Sequence, residues 1–380
     1  MKKYYFDNAA TTPLSDEVLD AMVPVMKEVY GNPSSTHGLG RMARTELEKA
    51  RKSVASLLHC SPAEIFFTSG GTEADNMAIR CSVTDLGVKH IISTCIEHHA
   101  VTHTLDRIEA DGLAKVSYLE VDEKGRISLD ALALLLQQEA GPTLVTLMHG
   151  NNEIGTMIDL EAVAKLCKSH GAYFHSDTVQ TMGYFEINLQ EVPVDFINGA
   201  AHKFNGPKGV GFIYIRAGLG IKPLLQGGAQ ERNMRGGTEN IYGIVGLAKA
   251  LEIAYRDLEN KRSHISQIRN YMIEKLVENI PGVAFNGDYN GNCLYTVLNV
   301  SFPAHPKGEM LLFNLDIAGI CASGGSACSS GSNVGSHVLG GIRVDPSRSN
   351  VRFSFGKQNT FEEVDYVVEQ LKQIFELHPA

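Results

Sequence analysis

Short apolar runs rich in β-branched and aromatic residues alternate with stretches of helical spacing along this chain, and that rhythm is the strongest constraint on its fold. Residues 64–68, 90–94, 115–119, 143–147, 172–175 and 194–197 each have the length and composition of a strand buried on both faces. Helical patterns fall at 72–80, after Gly70-Gly71, and at 160–170, where Gly171 stops the turn. Residues 41–58 put Met42, Leu47, Ala50, Val54 and Leu57 on one helical face. Parallel strands need crossover helices between them. The expected class is therefore α/β, a large, mostly parallel, seven-stranded-type sheet with helices on both faces. Residues 210–215 supply the seventh strand, antiparallel because it follows a turn.

Beyond this region the pattern shifts. Residues 242–278 contain no proline and are expected to form one long helix crossing between two domains. After Pro281-Gly282 come strands at 296–300 and 351–355, then a helix opened by a capping box of Thr360 with Glu363. These signals predict a large domain over 14–255. A smaller α+β domain is built from 1–13 with 256–380 and carries a cysteine loop at about 321–340.

Composition narrows the function class. The net charge is −9 with no block of Lys or Arg, which argues against nucleic acid as a partner. No apolar run approaches the roughly 18 residues of a membrane span. The start, Met1-Lys2-Lys3-Tyr4-Tyr5-Phe6-Asp7, lacks a signal-peptide core, so a cytoplasmic location is expected. Seven cysteines (60, 81, 95, 167, 293, 321 and 328) show no paired spacing, against a disulfide framework or a four-thiolate zinc site. Cys321, after an apolar run, reads as a core residue at a strand end.

Three places carry chemistry. Ser69 to Asn76 joins a strand to a helix N-terminus through two glycines, a geometry that suits a phosphate and equally a structural turn. Lys203 follows a buried strand and precedes a tight turn, where a desolvated amine can form a Schiff base; a surface lysine is the plainer reading. Asp177 stands just past the strand at 172–175, at the end where α/β ligands bind. Pyridoxal phosphate needs a lysine for its aldehyde, an acid for its ring nitrogen and an anion cradle. Lys203, Asp177 and Gly71-Thr72 supply all three. Cys328 sits among Gly, Ala and Ser from 322 to 332, either an incidental thiol or one presented on a flexible loop as a nucleophile. A metal reading of His99 and His103, which share a helical face, lacks a further ligand at suitable spacing.

Taken together, these residues resemble the cysteine desulfurases of the class V aminotransferase fold type, in the NifS/IscS group. The matching stretches run in order from residue 7 to residue 356. They are Asp7 to Thr12, Ser69 to Asn76, Glu97 to Val101, Asn151 to Gly155, Asp177 to Gln180, His202-Lys203, Arg235 to Asn240, Gly325 to Ser330 and Arg352 to Ser354. The resemblance implies a fold type I pyridoxal 5'-phosphate enzyme that converts L-cysteine to L-alanine. A persulfide would form on Cys328 and pass to a sulfur-acceptor or scaffold protein for iron–sulfur assembly or thio-modification. It also implies roles by position. Lys203 holds the cofactor and moves protons, Asp177 pairs with the ring nitrogen, and Gln180 bonds the ring hydroxyl. His98 stacks on the ring and is an acid/base candidate. Gly71, Thr72, Ala200 and His202 hold the phosphate, with Thr238 reaching in from the other subunit of a homodimer. Asn152 and Arg352 orient the substrate carboxylate. No resident metal is implied, although Cys328 could touch an iron–sulfur cluster in transit. One departure stands out: Ala200 replaces the family's usual Ser or Thr and removes a phosphate hydrogen bond. Selenocysteine lysis, another class V reaction, and an idle cofactor-binding adaptor are the alternative functions.

Overall fold

The computed structural model describes residues 2–138, 141–324 and 335–376. Its centre is a seven-stranded sheet in the order Ile65–Thr68, Gly211–Ile215, Phe196–Ala200, Tyr173–Ser176, Thr143–Thr146, His90–Ser93, Lys115–Tyr118. Gly211–Ile215 runs antiparallel to both neighbours and every other pair is parallel. The expected mixed α/β sheet is present, including the orientation of its one reversed strand.

Alternation along the strands sends side chains to two separate layers. Phe66, Phe196 and Ile213 pack with Ala74, Met77 and Ala78 of the helix Gly71–Asp85. Their neighbours Phe67, Ile197 and Phe212 face the other way, toward Leu47 and Val54 of the helix Gly38–Leu57 and Leu251 of the helix Ile241–Arg256. At roughly 1.5–3 kcal/mol per fully buried large side chain, this two-sided packing is the main stabilisation of the sheet. Only Lys115–Tyr118, on the sheet edge, is partly exposed along its length.

A second, antiparallel sheet joins Ser349–Ser354, Val297–Phe302 and Ala284–Asn286. The N-terminal strand Tyr4–Tyr5 pairs in parallel with Ile320–Cys321, and Asp7 bridges to Ser354. From there residues 8–12 run along the cleft beside the large sheet. Among the described residues, no helix is long and apolar enough to cross a membrane.

Three local expectations need correction. The helix expected over 242–278 is two, Ile241–Arg256 and Leu258–Asn279, broken at Asp257. Aspartate is a poor interior helix residue, and this one turns its carboxylate to Arg256 Nε at 2.9 Å. The capping box at Thr360 is half made: Thr360 Oγ1 accepts from the Glu363 amide, but Glu363 Oε2 accepts from Asn359 instead. Cys321 does end a strand, yet it is half-buried rather than core; in this two-residue strand it is Ile320 that is buried.

Candidate active site

The parallel strands point their C-terminal ends at one cavity of about 250 Å³, lined by Gly71, Thr72, His98, Asn152, Asp177, Gln180, Ala200, His202, Lys203 and Arg352. Ten residues named from sequence therefore meet in one place. Ala200 and Arg352 lie within strands, and the others arrive by short excursions beyond strand ends. Lys203 closes a single 3-10 turn, Ala201–Lys203, after Phe196–Ala200. Asp177 follows Tyr173–Ser176, and His98 caps the helix His99–Ala110 after His90–Ser93.

At one end of the cavity, the Gly70-Gly71 turn starts the helix Gly71–Asp85. Gly70 has φ +155° and ψ −175°, a conformation essentially restricted to glycine. A Cβ on Gly71 would meet Val179 Cγ2 at 2.7 Å. No side chain caps this helix start among the described residues, so its first amides and the positive end of its dipole face the cavity. His202 lies alongside, with Nδ1 3.1 Å from Thr11 Oγ1. Burial, then Lys203 and Lys208, push the His202 imidazole down to about 4, so it offers a neutral N–H. Ala200 adds a methyl to this wall and no hydroxyl.

Lys203 Nζ donates to the carbonyls of Ala9 and Ala10 at 2.6 and 3.0 Å, which holds the amine at the cavity floor. Gln180 Nε2 donates to the same Ala9 carbonyl at 3.0 Å. Asp177 is 6% exposed, and its Oδ1 accepts from the Val179 amide at 2.9 Å. Behind it lies Asp75, which sequence reasoning quoted within a motif but gave no role. Ligand atoms of Asp75, His98 and Asp177 all lie within 4.8 Å of one another. Carboxylates so close cannot both ionise cheaply. Burial, then Asp177 and Glu97, raise Asp75 well above the usual range, so Asp75 carries the proton. Asn198 Nδ2 donates to its Oδ1 at 2.5 Å, and His175 Nε2 stands 3.4 Å away. Burial brings His175 down to about 3, leaving it neutral. The signal for Asp75 was available: it lies on the buried face of an otherwise apolar helix stretch.

His98 Nδ1 accepts the Ala100 amide at 3.1 Å. Since the backbone is the donor, the ring proton of neutral His98 must sit on Nε2. Burial lowers its pKa, against the pull of Asp177. In this geometry His98 is a flat platform with one donor, and accepting a proton requires release of its cap. His99 and His103 do not converge on a metal. Their rings stack at 4.6 Å and 26°, and His337 lies against His99 at 4.4 Å with its ring tilted by 38°, an unforeseen third member.

Arg352 is 1% exposed and donates from Nη1 to the Asn152 carbonyl and from Nη2 to Asp7 Oδ1, both at 2.9 Å. Its Nε is buried without a partner among the described residues, a donor suited to an incoming carboxylate. The donor set thus fits pyridoxal phosphate: an amine, a carboxylate, an open helix N-terminus and an arginine for the substrate.

Two named residues are not in the cavity. Thr238 is exposed and lines a separate cavity of about 170 Å³ with Ser69, Gly209 and Arg235. Cys328 lies outside the described residues. Its described flanks do touch the site: Ser323 Oγ donates to Asp7 Oδ1 at 2.8 Å, and His337 Nε2 lies 2.8 Å from the Glu97 carbonyl.

With this geometry in hand, likeness to known proteins is informative. The aminotransferase class-V family profile matches residues 4–367. A cysteine desulfurase IscS of Dictyoglomus turgidum is 42% identical over 379 residues, 99% of this chain and 95% of that protein. One from Methanosarcina thermophila is 43% identical, covering 98% of this chain and 92% of that protein. A solved NifS-like protein superposes with TM-score 0.91 at 38% identity, over 99% of this chain and all of that one. The structure described as SspA in complex with cysteine gives TM-score 0.81 at 30% identity, over 94% of this chain and all of that one.

Proposed function

The chain belongs to the aminotransferase class-V family, in its cysteine desulfurase branch, and from that premise we propose how its residues move sulfur from L-cysteine to Cys328. Pyridoxal 5'-phosphate is the cofactor, and when bound it supplies an electron sink for the substrate carbons. Asp177 would pair with its ring nitrogen and Gln180 with its hydroxyl. His98 would stack on the ring, with its Nε2 proton free to donate. Amides of Gly71 and Thr72, with the His202 imidazole and the backbone at Ala200, would hold the phosphate.

Arg352 and Asn152 fix the carboxylate of L-cysteine, and Lys203 removes and returns a proton at its Cα. The Cys328 thiolate attacks the substrate sulfur. The Cβ–S bond breaks as the S–S bond forms, the electron pair goes to carbon, and a proton delivered there completes L-alanine. Cys328 keeps the transferred sulfur as a persulfide and passes it to an acceptor protein, for iron–sulfur assembly or thio-modification. The proposed chemistry involves no nucleic acid and no membrane, and a cytoplasmic location is part of the same proposal.

One observation carries the reading: the cavity that gathers Lys203, Asp177, His98 and Arg352 is tied to the Cys328 segment. Asp7 Oδ1 touches both Arg352 Nη2 and Ser323 Oγ, and Ser323 precedes Cys328 by five positions. Five residues span at most about 17 Å, which sets the reach of the Cys328 thiol from Ser323. A homodimer accounts for Thr238, which would complete the phosphate cradle of the other subunit. The exposed apolar side chains Met26, Tyr30 and Tyr242, at 54%, 73% and 45%, support such an interface. The pairing of Tyr4–Tyr5 with Ile320–Cys321 likewise supports assigning 1–13 to the small domain with 256–380, apart from 14–255.

The test is mass spectrometry of the protein after exposure to L-cysteine, with the added sulfur expected on the Cys328 peptide and alanine as co-product. A Cys328→Ser variant should keep the yellow cofactor absorbance and bind L-cysteine, yet release no sulfide. Full sulfide release by that variant, or a keto acid in place of alanine, refutes the proposal.

A further inference from the structure

We propose that Asp7 is a positioning residue that weakens carboxylate binding at Arg352 and, in return, fixes the stem of the Cys328 segment. The inference rests on the desulfurase reading above. A single oxygen, Asp7 Oδ1, accepts from Arg352 Nη2 at 2.9 Å and from Ser323 Oγ at 2.8 Å. The stem and the arginine are joined a second time through the backbone, where the Arg352 amide donates to the Ser323 carbonyl at 2.6 Å and the Ser323 amide to the Arg352 carbonyl at 3.3 Å. Asp7 itself is held by its bridge to Ser354 and by the Tyr5 hydroxyl on its carbonyl at 3.2 Å.

The charges define the consequence. Arg352 has a side chain 1% exposed, and its ion-pair partner, Asp7, is 19% exposed. A substrate carboxylate approaching the unpaired Nε meets a guanidinium that is already neutralised, with a second anion beside it. Removing the Asp7 charge leaves a buried cation without compensation, which a small carboxylate would then satisfy. The same change replaces a charge-assisted bond to Ser323 by a weaker neutral one. Binding and sulfur transfer should therefore move in opposite directions. A fold-damaging substitution would weaken both.

The experiment uses the holoenzyme and L-alanine, whose binding is read from cofactor absorbance. Asp7→Asn, which keeps an acceptor oxygen in place, should bind L-alanine about tenfold more tightly. Its single-turnover sulfur transfer to Cys328, read by mass spectrometry, should be several-fold slower than in the unsubstituted enzyme. Ser323→Ala tests the stem alone: L-alanine affinity should stay within about twofold while transfer slows several-fold. Unchanged or weaker L-alanine binding by Asp7→Asn overturns the inference, as does an unimpaired transfer rate in Ser323→Ala. Absence of sulfur gain by the unsubstituted enzyme would instead sink the desulfurase reading, and this inference with it.

Discussion

Replacing Arg51 by methionine should destabilise the protein by about 3–5 kcal/mol, the usual effect of stripping one partner from a buried ion pair. Both side chains are buried, 1% exposed for Arg51 and 2% for Glu231. Arg51 grips Glu231 with two bonds of 2.7 and 2.8 Å, donates to the Ile65 carbonyl at 2.8 Å, and lies 4.8 Å over the Phe67 ring. Glu231 also accepts the Phe67 amide at 2.8 Å, at the base of the glycine turn that starts the phosphate cradle. Glu231, Arg232 and Asn233 have φ of 43°, 56° and 66°, three successive non-glycine residues in the left-handed region. At about 1–2 kcal/mol each, that turn stores roughly 3–6 kcal/mol, which the buried pair must offset. Urea unfolding of Arg51→Met against the unsubstituted protein measures the loss. The double variant Arg51→Met with Glu231→Gln should recover at least about 1 kcal/mol, because no charge is then left buried alone. A loss under about 1 kcal/mol for the single variant would refute the claim that this pair holds the turn.

Two other substitutions probe the cavity and the core. Ala200→Ser should restore a hydroxyl to the phosphate wall and tighten cofactor binding several-fold, for a bond of about 1 kcal/mol; titrating apoprotein with pyridoxal phosphate measures it, and an unchanged affinity contradicts the placement. His149, 7% exposed with Nδ1 3.0 Å from Thr181 Oγ1, is pushed down to about 4 by burial. Its stability contribution is complete above the ordinary imidazole value near 6.5 and drains away as pH falls toward 4. Acidification from pH 7 to 5 should thus cost about 2 kcal/mol through this group, and His149→Gln should remove that part of the pH dependence. Identical pH profiles from chemical denaturation would exclude it.

Much of the site was legible because its chemistry sits at strand ends, where a hydrophobic run followed by Asp, His or Lys stands out. Lys203, Asp177 and the Gly70-Gly71 turn are of this kind. Asp75 and His175 were less visible, since each is a polar residue inside a helix or strand and only tertiary contact reveals its partner. His337 could not be linked to His99 from sequence, because their contact spans two distant segments. The helix Asp16–Glu28 escaped for a local reason. Pro24 lies inside it and masks the buried spacing of Val18, Met22 and Val25. The break at Asp257 was hidden for the opposite reason, as neither Pro nor Gly marks it. Thr238, expected from sequence to act from the other subunit, lines a separate cavity in this chain, and its role belongs to the proposal.

The strand Tyr4–Tyr5 and the turn after it have a consequence for how the protein is made. Residues 9 and 10 provide the carbonyls that hold Lys203, 194 and 193 positions away, and Asp7 meets Arg352 across 345 positions. The N-terminal strand finds its pairing partner only at Ile320–Cys321. Residues 4–10 thus wait for partners, several of them about 300 positions or more later in the chain, and are placed late in folding. The large sheet can form early, but the N-terminal strand gains its pairing partner, and Asp7 its arginine, only after residues 320–352 are available. The order of these contacts makes the arginine end of the cavity a late-completed part of the fold.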